Sequence, residues 1–393
     1  MKLWLGVALT MMLIPLSRAE DWPVWRGPNA DGISAETGWN PTSSPRIKWS
    51  REVGSGYASV TVAAGRLYTA GHADGQDTIV CLNTESGNEI WQYSYPSSTG
   101  TYKGPRATPV IDGENLYMVS RDGVVTCLNA RDGKLVWKTD VLKESGNKDN
   151  QWGIATSAVI SGDLVLLNIG ARGTALDKKS GKVVWKSKGE QSYASPVVVE
   201  RGGKTMAFVF AAQSLEMVDV SNGASLASYP WKTQYGVNGA DPLLVGDQVF
   251  ITTGYDKGCA LLDYSSGQLK KVWENSLMSS QFSSCVQIDG YIYGIDGQTK
   301  SKGYLRCLSV ADGSEQWSMR IGFGSLMVAD NKIIALDEKG TLYFARAVPE
   351  KYEELARFKT GLKQLCWTQP VLANGTIYCR NDKGTLIAID VSK

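Results

Sequence analysis

The sequence predicts an all-β chain, an eight-bladed β-propeller of four-stranded antiparallel blades closed by an N-terminal strand. Three observations carry this. A Gly-x-x-x-Trp phrase recurs as Gly87 to Trp91, Gly133 to Trp137, Gly181 to Trp185 and Gly313 to Trp317, with a longer form from Gly267 to Trp273. Trp49 and Trp231 fall on the same ladder without the glycine spacing, and Phe358 takes the rung after Trp317, so that eight rungs stand 41 to 48 residues apart. That period fits a four-stranded blade. Between the rungs lie short β-branched and aromatic runs broken by Asp-Gly or Ser-Gly, the pattern of antiparallel hairpins. The last unit stops after Gly384-Thr-Leu-Ile-Ala-Ile-Asp390 without an outer strand, while Arg46-Ile-Lys-Trp-Ser50 is spare at the other end. Pairing the two removes the open sheet edges and closes the ring.

Read in order, residues 1–19 form a signal peptide. Lys2 precedes an apolar stretch from Leu3 to Leu16, and Ser17-Arg18-Ala19 places small residues at the −3 and −1 positions of a cleavage site. No Cys lies near that site, which argues against a lipid anchor, and no other apolar run approaches the roughly 20 residues that span a bilayer. The expected location is periplasmic or secreted. Residues 20–44 form an extended arm whose Trp22 and Trp25 pack on the propeller wall, and residues 45–393 form the propeller.

With 41 basic and 39 acidic residues among 393, the net charge is +2. Such a balance, with no basic run, offers no pull toward nucleic acid or anionic lipid. The seven cysteines are an odd number for an exported chain. Cys81, Cys127 and Cys307 each precede Leu at the position where Ala175 stands in blade three, so they read as small apolar fillers. Pairing among Cys259, Cys285, Cys366 and Cys379 stays open, with buried thiols the expected state.

The aromatic rungs at Trp49, Trp91, Trp137, Trp185, Trp231, Trp273, Trp317 and Phe358 are read as docking residues that lie over the neighbouring blade and bury about 150–250 Å² each. The glycine supplies the positive φ of the tight turn before them. The phrase Ala175-Leu-Asp-Lys-Lys-Ser-Gly-Lys-Val-Val-Trp185 resembles the tryptophan-docking motif of the pyrroloquinoline-quinone-like propeller family, and its variants extend that resemblance over most of residues 45–393. Asp21 to Asn29 resembles the leader of exported bacterial members. In fold and size the chain is similar to the propeller subunit of the outer-membrane barrel-assembly machinery, without the lipidated Cys of that subunit. The resemblance implies blade packing in enzymes and non-enzymes alike.

Quinone-dependent alcohol dehydrogenases of this family carry adjacent cysteines, a Glu-Asn-Asp set for calcium and a catalytic Asp. This chain has no Cys-Cys pair. Its funnel-facing positions read by repeat are Ser59, Thr108, Ser157, Ser195, Asp241, Ser284, Ser325 and Gln369, with one carboxylate where calcium prefers several. The single His72 sits in Gly71-His-Ala-Asp-Gly75 with no nucleophile motif beside it, and reads as a surface-loop residue. No phosphate loop or nucleophile elbow occurs. The expectation is a non-catalytic chain without cofactor or metal, the alternative being an oxidoreductase using pyrroloquinoline quinone with calcium.

Just ahead of the inner strands sit Tyr57, Lys103, Arg106, Trp152, Tyr193, Tyr235, Asn238, Phe282, Phe323 and Trp367. Tyr57, Arg106, Trp152, Tyr193, Asn238, Asp241, Phe282, Phe323 and Trp367 are the candidate binding residues. Aromatics with a cation on a rigid ring of loops suit a peptide segment of a protein partner or a glycan of the cell envelope. The leading reading is a monomeric platform for such a partner, and a carbohydrate-binding module is the third.

Overall fold

The computed structural model describes residues 19–298, 302–363 and 365–392; most of the expected signal peptide lies outside these. Strands group into eight sheets, seven of four strands and one of five. Blade two shows the pattern, from an inner strand at Val110–Asp112 through Asn115–Val119 and Val124–Asn129 to the outer Leu135–Asp140. The first three of these runs are buried almost throughout, as packing between two neighbouring blades requires, and only the outer strand is largely exposed. Among the described residues the one α-helix is a single turn, Val141–Ser145, capped by the Asp140 side chain on the Lys143 amide and ended by left-handed Gly146. No helix there is long and apolar enough to cross a membrane.

Closure follows the sequence arithmetic. Arg46–Glu52 pairs antiparallel with Thr385–Asp390, Arg46 opposite Asp390 and Trp49 opposite Ala388, and so supplies the outer strand of blade eight.

The docking phrase has a two-part mechanism. Each indole Nε1–H donates to a carbonyl in the next blade: Trp49 to Thr84, Trp91 to Ala130, Trp137 to Lys178, Trp185 to Val220, Trp273 to Val310 and Trp317 to Val348, at 2.7–3.1 Å. The glycine of the next phrase then forms the floor under the ring. A Cβ on Gly87, Gly133, Gly181, Gly223 or Gly313 would lie within 2.7 Å of the preceding blade's indole. These glycines also have φ near +70°, so turn geometry and close approach select the same residue.

Two rungs were misplaced. The residue opposite Met217 in blade four is Ala227, just before the bulge where other blades carry Trp, and in blade seven Ala356 opposite Phe344 holds that position. Trp231 lies beyond the strand, buried, with its Nε1–H on Thr253 Oγ1 at 3.0 Å and Lys257 Nζ 4.0 Å above its ring. Phe358 is two residues past the docking position, half-buried against the core shared by blades seven, eight and one. Blade four compensates from the opposite side. Tyr264, at the position in blade five whose carbonyl would receive an indole, turns its ring onto Phe208 at 5.1 Å, in the same cluster as Ala227. Gly267, which would floor the missing Trp, accordingly faces open space.

The N-terminal arm departs most from expectation. It crosses the central channel rather than following the wall. Trp22 exchanges two 2.8 Å backbone hydrogen bonds with Val62 of blade one, and the Pro23 carbonyl accepts from Ile111 of blade two. Arg26 Nη2 donates to the Cys285 carbonyl at 2.5 Å, ahead of blade six. Ile33–Ser34 adds a parallel fifth strand to Gly324–Ala329 of blade seven. Glu36 accepts from the Asn374 and Gly375 amides of blade eight. These contacts reach from blades one and two across to blades six, seven and eight, so the arm spans the channel and floors the funnel that opens where the inner strands begin.

Candidate functional site

The funnel's throat is a chain of hydrogen bonds that runs from blade to blade. The Ser59 amide donates to Thr108 Oγ1, Thr108 to Ser157 Oγ, Ser157 to Ser195 Oγ, Ser195 to Asp241 Oδ1 and Asp241 to Ser284 Oγ, at 2.7–3.0 Å. Ser59 Oγ donates to the Gln369 carbonyl and Gln369 Nε2 to that of Leu326. The repeat position that the sequence marks as funnel-facing is thus a staple, the amide of each of blades one to five being satisfied by the next blade's side chain.

Asp241 is the carboxylate member of the staple. Besides the Ser195 amide it accepts from Trp25 Nε1 at 2.6 Å, which fixes the arm's indole as part of the funnel floor. Burial raises its pKa, opposed first by the charge of Arg26. Arg26 is itself buried, its pKa lowered by desolvation, and its Nε and Nη1 have no hydrogen-bond partner. The two buried charges offset one another through space, an arrangement that costs much more when one is removed than when both are present.

Above this floor opens a cavity of about 320 Å³, with Trp25, Tyr57, Tyr102, Trp152, Tyr193, Tyr255, Phe282 and Trp367 among its lining residues. One wall is a cluster in which Trp367 stacks on Tyr57 at 5.4 Å and also meets Phe282 and Tyr102. The facing wall joins Trp152 to Tyr193 and, through Tyr235, to Tyr255. Trp367 is oriented by its Nε1–H on Glu338 at 3.3 Å, and Tyr255 by the Gln281 and Gln298 side chains. Arg106 lies 5.9 Å from the Tyr57 ring and donates to the carbonyls of Gly104, Thr101 and Tyr102, tying down the Tyr102 loop.

Seven of the nine candidates therefore line one cavity: Tyr57, Arg106, Trp152, Tyr193, Asp241, Phe282 and Trp367. Two do not. Asn238 is fully buried, donating from Nδ2 to the Ala211 carbonyl at 2.6 Å and accepting from Thr253 Oγ1, so its amide serves packing between blades four and five. Phe323 is also fully buried, edge-on behind Phe282 at 4.9 Å, and supports the wall without facing the cavity. Trp25, Tyr102, Tyr255 and Gln298 line the cavity without a sequence signal, since all four lie outside the repeat register.

Burial holds Tyr57 and Tyr193 up at about 12, and burial with Arg121 nearby brings Arg106 down to about 10. All three wall groups thus stay in their protonated forms around neutral pH. Calcium with a quinone would need several carboxylates and cations for the quinone's acid groups. The cavity supplies one carboxylate, already bonded twice, and one arginine, already spent on loop carbonyls. Among the described residues no group of three or more His, Cys, Asp or Glu could hold a metal. The wall does not fit that cofactor. His72 is not a surface residue. It is buried in the strand Arg66–Ala73 of blade one, its Nδ1 2.7 Å from Asp77 Oδ1. All seven cysteines are buried and unpaired.

Comparison with known proteins places this geometry. The model of the PQQ-like repeat family described as outer membrane protein assembly factor BamB matches residues 23–187 and 97–319, most of the chain. The chain belongs to that family. A BamB from Shigella dysenteriae is 23% identical over 364 residues, covering 76% of this chain and 88% of that one. The crystal structure of BamB from Moraxella catarrhalis superposes with a TM-score of 0.68 at 15% identity, covering 88% of this chain and all of that one. A quinohemoprotein alcohol dehydrogenase from Pseudomonas putida HK5 also gives 0.68, at 11% identity and 95% and 80% coverage. The family's ring of blades is thus common to proteins named for assembly and for catalysis, and likeness to the two structures extends to the fold alone.

Proposed function

We propose that this chain is a non-catalytic docking platform of the cell envelope that binds a protein partner through the loops around its funnel. The observation that carries the reading is the site itself, within a family described as an assembly factor. A ring of rigidly held aromatics surrounds a cavity whose polar groups are committed to holding the blades together, which suits recognition better than chemistry.

Crosslinking in the native envelope, with capture through a tag on the exported chain, tests this. The expected result is one recurrent protein partner whose yield falls in Trp152→Ala and Trp367→Ala chains that keep the wild-type melting temperature. Adding pyrroloquinoline quinone and Ca²⁺ to purified protein is expected to give no bound chromophore and no dye-linked oxidation of alcohols or sugars. Turnover in that assay would replace the platform by the oxidoreductase.

A further inference from the structure

We infer that the funnel cavity receives one aromatic side chain bearing a hydrogen-bond donor at its tip, a Trp or Tyr presented by the partner protein. The inference rests on the platform reading and gives its contact a chemistry. At about 320 Å³ the cavity is at the low end of ligand pockets, which run from about 300 to 1,000 Å³. It has room for a single bulky group rather than a length of chain.

Three features select the group. Two aromatic walls, Tyr57 with Trp367 and Phe282 on one side and Trp152 with Tyr193 on the other, suit a flat ring through offset or edge contacts. The occupant is uncharged. Arg106 already lies against the Tyr57 ring, which disfavours a second cation there. Arg106 donates to three loop carbonyls and Asp241 accepts from Trp25 and Ser195, so a charged group would have to compete with the bonds that hold the loop and the floor. The throat offers one open polar demand. Gln369 lines the cavity, is 6% exposed, and its buried Oε1 has no hydrogen-bond partner although its Nε2 does, so that a small turn of the amide is what presents this acceptor to an occupant. An indole N–H or phenol O–H satisfies that acceptor, and a phenyl ring does not. A sugar fits less well. The walls above the throat are aromatic rings, and Ser157 and Ser195 in the throat each already accept an amide, which leaves fewer acceptors for a sugar's many hydroxyls than for the single donor of an indole or phenol.

The test titrates purified chain with acetylated, amidated Gly-Gly-X-Gly-Gly peptides, X being Trp, Tyr, Phe or Ser, and with methyl glucoside, by calorimetry. Trp and Tyr peptides are expected to bind at least about tenfold more tightly than the Ser peptide, with Phe between them. Ala155→Trp, which fills the cavity from its wall, and Trp367→Ala, which removes a wall, should each abolish the preference. Gln369→Leu should remove the advantage of Trp and Tyr over Phe alone. Equal binding of Trp and Ser peptides, or tighter binding of the glucoside, would overturn the inference. Partner capture separates the two levels. An Ala155→Trp chain that captures the wild-type partner undiminished overturns the cavity assignment and leaves the platform standing. Wild-type chain that binds the Trp peptide but captures no partner keeps the cavity's chemistry and overturns the platform.

Discussion

Replacing Asp241 with alanine removes the acceptor for two donors at once, the half-buried Trp25 indole at 2.6 Å and the buried Ser195 amide at 2.7 Å. Each orphaned donor costs about 1–3 kcal/mol, and Arg26 loses the nearby charge that offsets its burial. A total near 4 kcal/mol is expected. Unfolding entropy of about 2.1 cal/mol/K per residue, taken over the 374 residues after the expected cleavage point (393 − 19 = 374), gives roughly 0.8 kcal/mol/K. The melting temperature should therefore fall by about 5 °C. Asp241→Asn keeps one acceptor oxygen and should lose about half as much. Calorimetry or circular dichroism reads the shift, and a cycle with Trp25→Phe isolates the contact between arm and floor. An Asp241→Ala chain melting within 1 °C of wild type, or strict additivity with Trp25→Phe, would refute the account of the arm as a bonded part of the funnel.

The glycine floors make a paired comparison. Gly181→Ala puts a Cβ 2.4 Å from the Trp137 ring, whereas Gly267→Ala meets nothing within 4 Å; both pay for positive φ, so Gly181→Ala should be the worse by about 1–3 kcal/mol in denaturant midpoints, and equal losses would show that the turn alone selects glycine. His72→Ala leaves the Asp77 carboxyl buried without its imidazole partner and should cost about 1–3 kcal/mol, part of which Asp77→Asn recovers in the double variant; a full loss retained there would mean that the imidazole matters only for packing. In the exposed turns of Asp177, Asp219 and Asp312, serine hydroxyls and backbone amides hold the carboxyl pKa below 3.8. A lowered pKa stabilises the folded state above 3.8 and loses that contribution as pH falls through the lowered values. The triple Asn variant should consequently show a flatter fall in melting temperature between pH 4 and 2, and parallel curves would count against these turns as acid-labile points.

The ring was legible because its determinants are local and repeated. A turn glycine, an aspartate or asparagine and a terminal Trp leave a signature within a dozen residues, and eight copies outvote any one aberrant copy. The aberrant copies were misread for a physical reason. Ala227 and Ala356 fill the docking position without aromatic bulk, and each has a large aromatic a few residues downstream, Trp231 and Phe358, which the count took instead. His72 was misread because Gly71 and the Asp74-Gly75 turn suggested a loop, while the strand runs on to Ala73. Seven cavity residues were legible because their place before each inner strand repeats. The arm's path was not, since backbone contacts such as Trp22 with Val62 and side-chain reach such as Trp25 to Asp241, 216 positions away, follow no period. The same contacts hid the floor of the funnel.

The strand that completes blade eight also dictates a schedule. Arg46 and Asp390 are 344 residues apart, so Arg46–Glu52 emerges first during synthesis and waits, unpaired, until nearly the whole chain has been made. Glu36 waits likewise for Asn374 and Gly375. Blades one to seven can form from local hairpins in order of appearance, but neither the ring nor the floored funnel can exist before the C-terminal strands arrive. Until then the incomplete arc carries bare edges at both ends and an aromatic-rich arm with nothing to cross. A nascent chain of this design is best released to fold all at once, its first and last strands meeting as the final event.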